Sequence, residues 1–234
     1  MKILAFDTCL GAVSAAVRWK DAHGAWVVRE AYEEMAVGQA ERLMPMIGEV
    51  MQEAGLSFAD LDRIAVTCGP GSFTGVRVGV AAARALSLAT DLPVVAATSL
   101  AVMAARANVL LGSPADAPIA VAIDARRGGL YVQLFSADGN QAITSPEVLS
   151  PEAAAERIGA GRTVMVGSGG ESLARALAAS GRGSAEAALP NLQPHAHTLA
   201  LMASVLTPVA TLTPLYLRPP DAKPPRDLGL ATVE

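Results

Sequence analysis

The sequence predicts an α/β fold in which a βββαβαβα unit occurs twice, with a reduced second lobe. Three observations carry that reading. Short apolar runs alternate with stretches whose apolar residues recur at helical spacing. The strings Ile3-Leu4-Ala5-Phe6-Asp7-Thr8 and Val121-Ala122-Ile123-Asp124-Ala125-Arg126 each end an apolar strand on an acid, and one leads each half. Between the halves lies a turn-rich joint, Gly112-Ser113-Pro114-Ala115-Asp116-Ala117-Pro118.

In the first half, Lys2 to Phe6 reads as a buried strand. Val13 to Trp19 and Trp26 to Ala31 flank a glycine-containing turn and read as a hairpin. Leu43, Met46, Ile47, Val50 and Ala54 recur as one helical stripe, and Gly55 ends that helix. Pro45 lies inside the stripe, so the regular helix is expected to start near it or to kink there. A strand at Arg63 to Cys68, a helix from Gly75 to Thr90, a strand at Pro93 to Ala96 and a helix from Ser99 to Leu111 follow.

The second half repeats the order without a clear repeat of residues. Ile119 to Ile123 and Leu130 to Phe135 form a hairpin, with a weak third strand between Gln141 and Val148. Pro151 to Ile158, Ser172 to Ser180 and Thr198 to Leu206 read as helices, and Thr163 to Val166 and Ala185 to Leu189 as strands. A duplicated βββαβαβα unit is the architecture of the actin-like, sugar-kinase-like and Hsp70-like (ASKHA) superfamily. The expected organisation is a first lobe at 1–111, a second at 112–218 and an extended Pro-rich tail at 219–234.

Composition narrows the function classes. With 234 residues, 52% apolar and 17% charged, the chain can bury a sizeable core as one domain or two closely joined lobes. Only 4% of residues are aromatic, so Ala, Val, Leu and Met must fill that core by close backbone approach. A formal charge of −4 argues against a free-standing nucleic-acid binder. Cys9 and Cys68 are the only cysteines and form no CxxC, which argues against a disulfide framework and suits a reducing cytoplasm. An acid ends the N-terminal apolar run at Asp7, unlike a signal peptide. Pro208 and Pro214 break the uncharged stretch Thr198 to Leu217, so no membrane association is expected.

Three places could carry chemistry. Asp7 and Thr8 end a strand where this superfamily turns toward nucleotide phosphates and metal, although an acid there can also simply accept backbone N–H bonds. Gly69-Pro70-Gly71-Ser72-Phe73-Thr74-Gly75 leads straight into a helix, a layout that makes an anion site, with Ser72 and Thr74 as alternative caps. No Gly-Lys-Ser/Thr closes it, so it is not a Walker A loop. Phe73, apolar on a tight turn, is expected against another surface. The helix that follows carries only Arg77 and Arg84 as charges, and Val78, Ala81, Ala82 and Ala85 belong to an almost continuous apolar surface. A helix apolar nearly all round needs cover on two sides. The Met-rich first helix, with Leu43, Met46, Ile47 and Val50, offers the adjoining part of a docking face. Asp124 and Arg126 either pair with each other or meet a ligand. His195-Ala196-His197 reads as a solvated turn in preference to a metal site, and Ser168 in Gly167-Ser168-Gly169-Gly170 has no base in sequence.

These strings resemble the TsaB (YeaZ) family. The match rests on Ile3 to Thr8, Gly69-Pro70-Gly71-Ser72-Phe73-Thr74-Gly75-Val76-Arg77, Ala122 to Arg126, Pro214-Leu215-Tyr216-Leu217-Arg218 and Glu41-Arg42-Leu43-Met44-Pro45, in order along nearly the whole chain. The resemblance implies a non-catalytic subunit that heterodimerises with its paralogue TsaD through the two first-lobe helices, and forms a homodimer when alone. With the ATPase TsaE, that complex transfers a threonylcarbamoyl group to the adenosine beside the anticodon in tRNAs reading ANN codons, so tRNA contact would be indirect. Ser99 and Met103 stand where TsaD carries a metal-binding HxxxH, which implies no resident metal. Gln39 replaces a histidine common in the family, and the second half is short, so ATP or ADP binding is expected only weakly or at the complex interface. Two rivals remain: a nucleotide-dependent kinase or ATPase using Asp7 and Asp124, and a glycoprotease-like peptidase.

Overall fold

The computed structural model describes residues 1–112 and 117–218. Most of the expected joint and the Pro-rich tail at 219–234 lie outside the described residues. The first half contains β1 (Ile3–Asp7), β2 (Ala12–Lys20), β3 (Trp26–Glu34), α1 (Gln39–Ala54), β4 (Arg63–Thr67), α2 (Phe73–Thr90), β5 (Val94–Ala97) and α3 (Ser99–Leu110), with a 3-10 turn at Phe58–Asp60. The second contains β6 (Ile119–Asp124), β7 (Leu130–Phe135), β8 (Glu147–Leu149), α4 (Pro151–Ile158), β9 (Gly161–Val166), α5 (Gly170–Ser180), β10 (Gly183–Ala188) and α6 (Ala196–Met202).

Each half builds a five-stranded sheet, ordered β3-β2-β1-β4-β5 and β8-β7-β6-β9-β10. The orders coincide once the second set is renumbered from its own start, so the duplication expected from sequence is present in the topology. In both, an antiparallel hairpin continues into parallel strands. This is the ASKHA fold.

Strand periodicity explains the layers. Alternate residues of a strand face opposite sides. Leu4 and Phe6 pack with α1 and α2 on one face of the first sheet, whereas Ile3 and Ala5 pack with α6 on the other. In the second sheet, Ile119, Val121 and Ile123 face α3, and Ala120 and Ala122 face α4 and α5. The last helix of each half therefore packs on the sheet of the other half. α3 and α6 also touch, forming a shared middle layer.

Several boundaries differ from the sequence reading. α1 begins at Gln39 and runs through Pro45. Proline there removes only the bond to the Glu41 carbonyl, on an exposed side, while Leu43, Met46, Ile47 and Val50 hold the helix to the sheet. β3 extends to Glu34 because it pairs along the full length of β2. α6 ends at Met202.

The glycines of the turn before α2 are fixed by contact. A Cβ on Gly75 would lie 2.0 Å from the Thr8 carbonyl oxygen, and one on Gly71 would lie 2.2 Å from that of Cys9. Gly48, on the exposed side of α1, has nothing within 4 Å of its Cβ position. Urea denaturation should therefore separate two changes of the same chemistry. Gly75→Ala should destabilise by about 3 kcal/mol or more through backbone overlap, whereas Gly48→Ala should stabilise by roughly 0.5–1 kcal/mol.

Candidate functional site: a sealed turn, an open cavity and an uncovered helix face

The turn after β1 is closed by the turn before α2. The Ser72 N–H donates to the Cys9 carbonyl at 2.7 Å, and the Thr8 hydroxyl donates to the Gly75 carbonyl at 2.7 Å. The Ser72 hydroxyl accepts from the Gly75 N–H at 3.0 Å, capping α2. The Ser72 and Gly75 amides, which an anion at this helix start would use, are thus engaged within the chain. Thr74 is exposed at the start of α2 and does not supply the cap.

Asp7 is fully buried beneath this clasp. Its Oδ1 accepts from the Thr67 hydroxyl and from the Cys9 N–H (3.3 Å). The Cys9 thiol in turn donates to the Thr67 hydroxyl oxygen at 3.2 Å. Asp7 Oδ2 has no partner among the described residues. Burial pushes the Asp7 carboxyl up to about 6, against the opposing pull of the Thr67 hydroxyl and the Cys9 N–H.

The equivalent place in the second half is open. Asp124, at the end of β6, is exposed and lines a cavity of about 460 Å³ with Arg126, Arg127, Ser168, Gly169 and Ser172. Its Oδ1 accepts from the Arg126 N–H at 2.7 Å, and its own N–H donates to the Ser168 hydroxyl at 3.0 Å. Asp124 and the backbone of Arg126 thus pair locally, on the wall of a cavity. Asp7 is not part of that wall.

The docking residues expected from sequence divide. Leu43, Met46, Ile47 and Val50 are at most 1% exposed and belong to the core against the first sheet. Their stripe is the inward face of α1, so they are corrected from a partner surface to the chain's own core. Met44, off that stripe, is 46% exposed. On α2, Gly75, Val76, Gly79, Val80 and Ala83 face inward. Ala81, Ala85 and Ala89 are exposed, Leu88 is 86% exposed, and Val78 and Ala82 lie at the edge of the buried face.

Sequence reasoning missed what the two α2 arginines do. Arg84 donates to the Leu212 carbonyl at 2.9 Å through Nε. Arg77 donates from Nε to the Tyr216 hydroxyl at 2.9 Å, and its guanidinium lies 3.6 Å from the centre of the Phe73 ring. Phe73 and Tyr216 stack at 5.6 Å. Both arginines therefore face the segment after α6, and Phe73 meets a surface of its own chain while remaining 48% exposed. The string Pro214 to Arg218 was the available signal, but nothing in its spacing gives the contact.

Other expected positions are structural. Gln39 is buried and its Nε2 donates to the Met35 carbonyl at 3.3 Å. The Ser99 hydroxyl donates to the Pro70 carbonyl, and Met103 is fully buried beneath the second sheet. His195 stacks on Tyr32 at 5.0 Å, and burial with nearby Arg106 pushes it down to about 4. His197 Nδ1 lies 2.7 Å from Glu30 Oε2.

The buried Asp7 has a thermodynamic signature. Its carboxyl titrates higher in the folded chain than in the unfolded one, so the folded state holds the extra proton between about pH 4 and pH 6. This contribution to stability is complete below the unfolded value and is lost as pH rises through about 6. Denaturation of wild type and Asp7→Asn from pH 4 to pH 7 should show a difference that shifts in favour of the variant by on the order of 2–3 kcal/mol.

Comparison with known proteins identifies the family. Residues 33–193 match the family described as TsaD, tRNA N6-adenosine threonylcarbamoyltransferase. The chain is 35% identical over 174 residues to the tRNA threonylcarbamoyladenosine biosynthesis protein TsaB of Escherichia coli, spanning 72% of each chain. It is 32% identical over 180 residues to TsaB of Haemophilus influenzae, again over 72% of each. The solved structure of YeaZ from Pseudomonas aeruginosa superposes with a TM-score of 0.72 at 29% identity, over 92% of this chain and 99% of that one. The chain belongs to the TsaB (YeaZ) family of tRNA threonylcarbamoyladenosine biosynthesis proteins.

Proposed function

We propose that this chain is the non-catalytic, activating subunit of the threonylcarbamoyl-transferring assembly, and that it works by docking α2 onto the paralogous subunit TsaD. The observation that carries the reading is the outer face of α2. Its first side is buried in the core, its arginines hold the chain's own C-terminal segment, and Ala81, Ala85, Leu88 and Ala89 remain uncovered. Small residues on an exposed helix allow a second backbone to approach closely, and Leu88 and Met44 supply apolar area. The same face would serve a homodimer when TsaD is absent. TsaE and tRNA would then be met through the complex.

The non-catalytic part of the reading draws on three positions. Ser99 and Met103 stand where the family resemblance places metal-binding histidines, and both are committed to packing. Asp7, the acid on which a kinase or ATPase would depend, is sealed from solvent. The nucleotide-dependent alternative keeps one supporting observation, the open cavity at Asp124, and titration of the purified chain with Mg-ATP separates the two. Weak or absent binding without turnover fits a scaffold, and micromolar binding with turnover fits the enzyme. Among the described residues, no helix is long and apolar enough to cross a membrane.

The docking face has a direct test. Ala85→Glu places an unpaired charge in the proposed contact, which should weaken TsaD association by about 100-fold or more and abolish co-purification. Ala85 is exposed in the single chain, so the circular dichroism spectrum and melting temperature should stay near those of wild type. A TsaD complex of undiminished affinity would remove the assignment.

A further inference from the structure

After α6 the chain runs as an extended strap across both halves. The Val209 N–H donates to the Val94 carbonyl at 2.9 Å, beside β5. The Leu215 N–H donates to the Cys68 carbonyl at 2.7 Å, at the turn before α2. Tyr216 then stacks on Phe73 and accepts from Arg77. Two residues further, Arg218 Nη1 donates to the carbonyls of Ala125 (2.9 Å) and Arg126 (3.4 Å), on the turn between β6 and β7.

Glycine permits the close approach at both ends. A Cβ on Gly69 would lie 2.9 Å from the Leu215 carbonyl oxygen, and one on Gly129 would lie 2.7 Å from Arg218 Nη2. The turn that Arg218 grips is costly to form, because Arg126 (φ 62), Arg127 (φ 51) and Gly128 (φ 74) follow one another in the left-handed region. L-residues other than glycine disfavour that region. A charged donor on two of its carbonyls offsets part of this cost and holds the turn in one shape. The same turn lines the Asp124 cavity.

We infer that the strap couples the α2 face to the Asp124 cavity. A partner docked on the uncovered face of α2 that also covers the part-exposed rings of Phe73 and Tyr216 fixes the strap, and Arg218 then fixes the turn that shapes the cavity wall. Only Leu217 separates Tyr216 from Arg218, so little slack lies between the two contacts. By linkage, whatever occupies the cavity strengthens partner docking by the same factor as docking strengthens its own binding. Arg218 is a positioning residue in this arrangement. The inference rests on the docking reading above and adds to it a path by which docking is sensed in the second half.

The test is amide hydrogen exchange of the full chain, comparing the turn at residues 126–130 with the β9 core as internal control. Arg218→Ala removes a charged hydrogen bond and should speed exchange in the turn by about tenfold or more, with β9 unchanged. Tyr216→Ala is the decisive variant, because its ring and hydroxyl contact Phe73 and Arg77 on α2. It should also loosen the turn, by a factor within about threefold of that seen for Arg218→Ala. Wild-type exchange in the turn of Tyr216→Ala overturns the coupling, whether or not Arg218→Ala has an effect. If Tyr216→Ala also speeds β9, Tyr216→Phe, which keeps the ring stack and loses only the hydroxyl, carries the same comparison. Adding TsaD keeps the two readings apart. Failure of wild type to bind counts against the docking face, whereas binding that leaves exchange in the turn unslowed overturns the coupling alone.

Discussion

Two glycines pressed against two carbonyl oxygens hold the arrangement together. Gly71 and Gly75 meet the backbone of Cys9 and Thr8 with no room for a side chain. That contact places the start of α2 directly on the turn after β1 and seals Asp7 beneath it. It also sets which side of α2 faces the sheet, and so which side is left outward. In the second half the corresponding turns frame an open cavity. One topology, used twice, thus yields a shut site and an open one. The difference lies in where the glycine-rich turn presses: on Thr8 and Cys9, just past Asp7, in the first half, but on Ala122, before Asp124, in the second.

The uncovered α2 face follows from this placement. A helix lacking Lys, Asp and Glu, with two arginines along one stripe, would ordinarily bury most of its surface. Here the sheet takes one side and the strap takes the arginine flank, leaving a narrow apolar band of Ala81, Ala85, Leu88 and Ala89. The band consists mainly of alanines, which lose little side-chain entropy on burial and let another helix come close. The strap is the second consequence. It binds the turn before α2 at one end and the β6–β7 turn at the other, so the two halves are linked at the surface as well as through α3 and α6.

Much of the fold was legible because local periodicity and global topology agree. Leu4 and Phe6 alternate with Ile3 and Ala5, which predicts a strand covered on both faces, and the structure supplies helices on each. The βββαβαβα order was readable twice from turn residues and apolar spacing. The exchange of α3 and α6 between sheets was not, because a buried apolar helix carries no label for the sheet it covers. The same limit explains the error over α1. Leu43, Met46, Ile47 and Val50 form a helical stripe that fits a core or a partner equally well, and only the neighbouring sheet decides. Exposed Ala81, Ala85 and Leu88 were legible as surplus apolar surface, whereas Arg77 and Arg84 found partners more than a hundred residues away that no local pattern could reveal.

Contact between the outward side of α2 and TsaD is the central claim, and proximity measures it most directly. A photo-crosslinking side chain at position 85, in chain co-expressed with TsaD, should yield a covalent heterodimer, while the same group at position 186, on the β10 edge of the second sheet, should not. Adducts from position 186 with none from position 85 would contradict the account.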